Sequence, residues 1–414
     1  MGRMALLAAA VIASVAALLG QLGGAFTGSL DDPSIGYATK PVHDLVSELN
    51  RKLDQGQVQL KFDDAHGYLQ STLEALNVPV ESQIAIFSKT SFQGRLISPR
   101  NPRAIYFNDS VSVGWVRGGT VVELAAQDPQ QGVIFYTLNQ AAVEKPRFMR
   151  RDECLQCHES YSTASVPGML VRSVFTAPNG VAVFQFGSYT SDHRSPFNQR
   201  WGGFYVTADA GSVRHMGNAV VTDVEKPEKI TIDATPNISD YLAPYSDIVA
   251  LMVFDHQMHM TNLLTRVGWE TRYDKRFDVR GAAKEFVDYL LFLDEAPLEG
   301  RIHGVSGFAE HFAKLGPRDS KGRSLRQFDL ERRLMRYPCS YMIYSAAFDA
   351  LPAEAKDAIY KRMWQILSGE EKTDRLSFAD REAVVEILRE TKRGLPDYFR
   401  SALICVHLCS SVAK

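Results

Sequence analysis

Residues 154–158 read Cys154-Leu155-Gln156-Cys157-His158. Two thiols add to the two vinyl groups of a haem, and the imidazole that follows the second thiol then reaches the iron. All three residues are needed for that chemistry. The residue types also admit a redox dithiol, which expects a βαβ context and has no use for the histidine. A zinc site would need a second C-x-x-C. The remaining cysteines are Cys339, Cys405 and Cys409, and the last two are spaced C-x-x-x-C at the far end of the chain. The motif occurs once, so the expectation is one covalent haem c held by Cys154 and Cys157, with His158 as its proximal iron ligand.

The iron then needs a distal ligand or keeps an open position. A distal His or Met gives an electron-transfer centre, and an open position admits peroxide or small-molecule chemistry. The segment Asp255-His256-Gln257-Met258-His259-Met260 places two imidazoles at i and i+3 on one face of an otherwise apolar helix. A buried imidazole there needs a partner, and iron is one, so His256 is the expected distal ligand, with His193 and His215 next. The competing reading makes one histidine a satisfied core residue and the other exposed. Met258 and Met260 read as packing. H-x-x-H lacks the glutamate and the i+4 spacing of the zinc-protease motif.

Lys145, Arg147, Arg150 and Arg151 precede the motif closely. They suit haem propionates or an acidic redox partner, and equally a solvated loop. Arg100 and Arg103 are further propionate candidates. Gly202 and Gly203, after Trp201, let backbone approach a flat object such as a haem edge. Trp115, Tyr106 and Phe197 are candidate walls of the same pocket, although aromatics in a β-rich body are more often plain core.

These residues need a frame. Val42, Leu45, Val46, Leu49 and Leu53 recur at helical spacing, and Asp63-Asp64 is placed to cap a second helix carrying Leu69, Leu73 and Leu76. Short runs at 83–88, 104–108, 111–117, 121–126 and 132–137 are rich in Val, Ile, Phe and Tyr and read as strands. A second set spans 169–176 and 181–187, joined by Pro178-Asn179-Gly180, and 202–207 continues it. Beyond about residue 240 the pattern turns helical: 246–267, 282–293, 305–315, 340–350, 352–367 and 379–391. The expected class is α+β. The expected domains are a signal peptide over 1–25, a β-rich haem-bearing domain over 40–240 and an α-helical region over 241–400.

The leader reading rests on Arg3, the apolar run that follows it and the small residues before Ala25. It implies export to the periplasm, with contact to a membrane only through an uncleaved signal anchor. Covalent haem attachment in bacteria follows export, so the leader and the motif support each other. In the whole chain 45% of residues are hydrophobic, 23% are charged and the formal charge is −2. That composition excludes a disordered or polytopic membrane protein and gives no reason to expect nucleic acid as a partner. Five cysteines in 414 residues are too few for a disulfide scaffold. One disulfide among Cys339, Cys405 and Cys409 stays open.

At residues 154–158 the chain resembles the c-type cytochromes. It departs from their small all-helical pattern, because here the motif lies between two sets of strands. The stretches 97–103, Ser195-Pro196-Phe197 with Arg200-Trp201-Gly202-Gly203, and 336–341 resemble an exported bacterial family of single-haem proteins. That resemblance implies haem binding and electron transfer with a redox partner protein, and supplies no substrate. The alternative expectation is a peroxidase-like haem oxidoreductase in which a pocket histidine such as His193 acts as acid–base.

Overall fold

The computed structural model describes residues 25–208, 213–223, 225, 230–231 and 238–401. The expected leader, apart from Ala25, lies outside the described residues, as do Cys405, His407 and Cys409. The first helices among the described residues are α1 (Leu45–Asp54) and α2 (Leu69–Ala75). Asp44 caps α1 by accepting from the Val46 and Ser47 amides. Asp63 does not cap α2. Its Oδ1 takes the Ala65 and His66 amides in a local turn, and α2 starts after Tyr68.

Strands β1 (Ile84–Ile86), β2 (Arg103–Phe107), β3 (Val111–Val116), β4 (Val121–Asp128), β5 (Gly132–Asn139) and β6 (Met149–Arg150) follow as an antiparallel meander. After the motif helix α3 (Leu155–His158) come a ribbon of β7 (Arg172–Val174) and β8 (Ser188–Thr190), then β9 (Phe204–Tyr205). β9 joins the open edge of β1, giving seven strands in the order β6-β5-β4-β3-β2-β1-β9. A small ribbon, β10 (Val220–Val221) with β11 (Ile230–Thr231), stands apart. The run at 181–187 is not a strand. The Pro178-Asn179-Gly180 turn does form, with Ala177 bonded to Val181. The chain then coils through a 3-10 turn at Phe184–Phe186, and β7 pairs with β8 instead. Val181 and Phe184 are exposed, so no core selects their alternation.

The helices are α4 (Ile248–Tyr273), α5 (Val279–Leu290), α6 (Phe308–Lys314), α7 (Ala346–Asp349), α8 (Ala353–Ser368) and α9 (Phe378–Thr391). α4 runs six residues past the expected end, with Gly268 inside it near Leu351. It is buried nearly all round, as a helix without a polar face must be. Asp247 caps it through Oδ1, and its Oδ2 takes the Val305 and Ser306 amides.

Period-two alternation divides the sheet. Ala85, Ala104, Tyr106, Val113, Trp115 and Tyr136 face the N-terminal helices. Ile84, Ile86, Ile105 and Phe107 face α4 and the C-terminal helices. That second core joins residues from both sides of position 240, so the strands and helices are packed layers around shared cores. Among the described residues no helix is long and apolar enough to cross a membrane.

Candidate functional site

The edge of the sheet delivers the motif. Met149 and Arg150 pair with Thr137 and Tyr136, and the Arg151 amide donates to the Phe135 carbonyl at 2.8 Å. A 3-10 turn over Asp152–Cys154 runs directly into α3. Cys154 and Cys157 are therefore i and i+3 on one helical face, with His158 at i+4 from Cys154. Leu155 anchors the turn against the core below. Both cysteines are free thiols, Cys157 exposed and Cys154 partly buried. Burial first, then Glu123 and Glu153, push the Cys154 thiol up to about 11. A redox dithiol needs a thiol whose pKa is lowered, so this environment does not suit one.

His158 is held from behind. Its Nδ1 lies 3.0 Å from the Gly168 carbonyl oxygen, and the Gly168 amide donates back to the His158 carbonyl at 2.9 Å. A carbonyl only accepts, so Nδ1 carries the proton and the neutral ring keeps its lone pair on Nε2. Burial holds the imidazole below its ordinary pKa, in the neutral form a metal requires. Phe135 supports the ring at a centroid distance of 4.6 Å. The Thr163 hydroxyl ties the 158–166 loop together through the Ser160 and Val166 carbonyls.

The ground before these residues is the α4-facing side of β2–β4. Arg103 crosses β3 to meet Glu123 at 2.7 Å. It crosses at Gly114, where a Cβ would stand 2.6 Å from the guanidinium. Gln93 adds a bond to Glu123 at 3.3 Å. Arg103 and Glu123 act electrostatically on both Cys154 and His158, so motif and ion pair share one neighbourhood. Arg103 Nε is buried without a hydrogen-bond partner among the described residues. The residues present fit a haem. Two thiols and one neutral imidazole with a free Nε2 lone pair lie on one turn, beside a guanidinium with an unused donor suited to a carboxylate.

The other expected residues lie elsewhere. His256 is wholly buried on α4 with both ring nitrogens engaged, Nδ1 by His193 Nδ1 and Nε2 by Ser340 Oγ, each at 2.7 Å. Six residues further on, about 120° around the helix, Asn262 touches the loop behind His158. His256 therefore points away from the motif, and in this arrangement it offers iron no nitrogen. His193 shares that cluster, and His215 lies against Trp201. His259 contacts Arg194 at 3.0 Å.

Tyr106 and Trp115 are not pocket walls near the motif, because strand alternation points them to the opposite face. Trp201 is core, its indole donating to Asp255 at 3.0 Å. Gly202 and Gly203 admit the Val174 backbone and Ser88 rather than a cofactor. In the basic run Arg147 binds Asp54, Arg150 binds Asp152, and Arg151 reaches the Thr137 hydroxyl. Cys339 is a buried free thiol.

Gly168, Asn262, Gly114 and Glu123 escaped the sequence reading. An asparagine in the middle of an apolar helix was the one visible signal, since its buried amide must find partners. Neither a protein-family model, nor a curated protein, nor a solved structure matches this chain.

Proposed function

We propose that this chain binds one haem covalently through Cys154 and Cys157, with His158 as axial base, and exchanges electrons with a partner protein in the periplasm. The observation that carries the reading is the His158–Gly168 hydrogen bond. It selects the tautomer whose Nε2 is a donor to metal, on the turn that also presents both thiols. The bound haem would supply a one-electron iron couple. The chain's own residues do the rest. Cys154 and Cys157 hold the group in place. The Gly168 carbonyl orients the imidazole and raises its basicity. Arg103 offers positive charge to a propionate beside Glu123. The periplasmic setting rests on the leader sequence.

Acid–acetone treatment of the denatured protein tests the attachment. Haem should remain on the polypeptide at one per chain. Haem extracted into the solvent would overturn the reading.

A peroxidase-like oxidoreductase with an open distal position is the second reading. The engagement of both His256 nitrogens favours it. A high-spin oxidised spectrum that responds to cyanide supports it, and a low-spin spectrum indifferent to cyanide removes it.

A further inference from the structure

A buried polar side chain on a helix must pair its donors and acceptors or forfeit their solvation. Several polar groups on α4 pair with other side chains. Asp255 accepts from Trp201 and Ser191, His256 meets His193 and Ser340, and Arg266 meets Glu285. Asn262 differs. Its Oδ1 accepts from the Met169 amide at 2.8 Å and its Nδ2 donates to the Met169 carbonyl at 2.6 Å. Both ends of the amide are spent on the main chain of one residue.

That residue matters because of the peptide plane. The Met169 N–H and the Gly168 C=O belong to a single planar unit, and in the trans form they point in opposite directions. Asn262 takes the N–H on one side, and His158 Nδ1 meets the C=O on the other at 3.0 Å. One rigid peptide is therefore clamped between the long helix and the imidazole. Hydrogen bonds in such a chain polarise one another. An acceptor on the N–H enriches the carbonyl oxygen, and the carbonyl then draws harder on the imidazole proton. Contact is close enough to demand glycine at 168, where a Cβ would lie 2.2 Å from Asn262 Oδ1.

We infer that Asn262 is the positioning residue of the axial imidazole: through the 168–169 peptide it fixes the tautomer and orientation of His158 and tunes its strength as an electron donor. The tuning of iron rests on the haem reading above. The hold on the ring does not.

The test therefore has a haem-free arm and a haem-loaded arm, both on the full chain. In the first, Cys154→Ala/Cys157→Ala protein, which takes no covalent haem, is labelled at the histidine rings and the His158 nitrogens are read by 15N NMR. The parent should show the Nδ1–H tautomer alone, and Asn262→Ala should bring in the Nε2–H form. Buried there, Asn262→Asp is held in its protonated form, so one oxygen accepts from the Met169 amide, the O–H donates to the Met169 carbonyl, and the parent pattern should be preserved. Gly168→Ala should behave like Asn262→Ala, and their double variant should be no worse than either, because the clash and the clamp are one interaction. Should Asn262→Ala fail to fold, the contrast between Asn262→Asp and Gly168→Ala decides. In the second arm, loaded Asn262→Ala protein should have a higher reduction potential and a weaker iron–histidine stretch than the parent. A parent-like ring pattern in folded Asn262→Ala overturns the inference. Failure to take up haem in the parent overturns the haem reading alone, leaving the first arm to judge Asn262.

Discussion

The Nδ1 atoms of His193 and His256 stand 2.7 Å apart, between rings inclined by only 12°. One ring must donate and the other accept, so the pair works only while at least one of the two is neutral at that nitrogen. Burial drives both imidazoles down, His256 to about 3. Tyr289 stacks on His193 at 3.9 Å, and Ser340 receives the far nitrogen of His256. The cluster ties α4 to the 191–201 segment and to the turn that starts at Ser340.

Removing His256 should therefore read as a stability defect. His256→Ala leaves His193 and Ser340 without their partner in a closed interior and opens a cavity. The expected loss is about 3 kcal/mol in denaturant unfolding. The optical spectrum of the loaded protein should stay as in the parent. Conversion to a high-spin spectrum would return His256 to the iron.

The same residue predicts a pH dependence. The folded pKa of His256 lies below its unfolded value of about 6.5, so the unfolded chain binds the extra proton between the two. Its contribution is complete above pH 6.5 and falls as the pH drops towards 3, at up to about 1.4 kcal/mol per pH unit. Asp192, Arg194, His193 and His259 face the site and are common to parent and variant. The stability gap between parent and His256→Asn should accordingly narrow on acidification. A gap that is constant from pH 7 to pH 5 would rule this out.

Gly114→Ala tests the floor of the candidate site. The added methyl meets the Arg103 guanidinium, so Arg103 must leave Glu123. The expected cost is about 1.5–3 kcal/mol, the range for a hydrogen bond to a charged group. Gly114→Ala combined with Glu123→Gln should cost less than the sum of the two. Strict additivity in thermal or denaturant unfolding would show that the glycine serves some other contact.

His158→Ala removes the imidazole and leaves both thiols in place. Haem attachment should fall, and any haem that is attached should show a shifted Soret band. A parent spectrum at full loading would mean that His158 is not the axial base.

Much of the frame was legible in the chain itself. The strands β1–β5 and the helices α4–α6, α8 and α9 carry their period in apolar residues, because each buries one face or is buried outright. The helix expected over 340–350 is instead broken at Ser345, whose extended backbone separates a 3-10 turn at Tyr341–Tyr344 from the short α7. The motif at 154–158 was legible for a different reason. The chemistry proposed for it depends on covalent spacing, which folding does not alter. Local competition hid the cap of α2, where Asp63 closed a turn instead.

What sequence alone determined is the set of reactive groups and the order of strands and helices along the chain. Tertiary structure decided which groups meet. Asn262 lies about a hundred residues from His158 along the chain, and Glu123 lies closer but on β4; no periodicity relates either to the motif. His256 looked like a ligand because it shares a helical face with His259 in an apolar stretch. Yet rotation along α4 turns His256 toward His193 and Ser340, and gives Asn262 the loop behind the motif. Hydrogen bonds between distant segments are set by how the layers stack. That depends on the packing of the whole core, to which a single sequence offers only the list of partners.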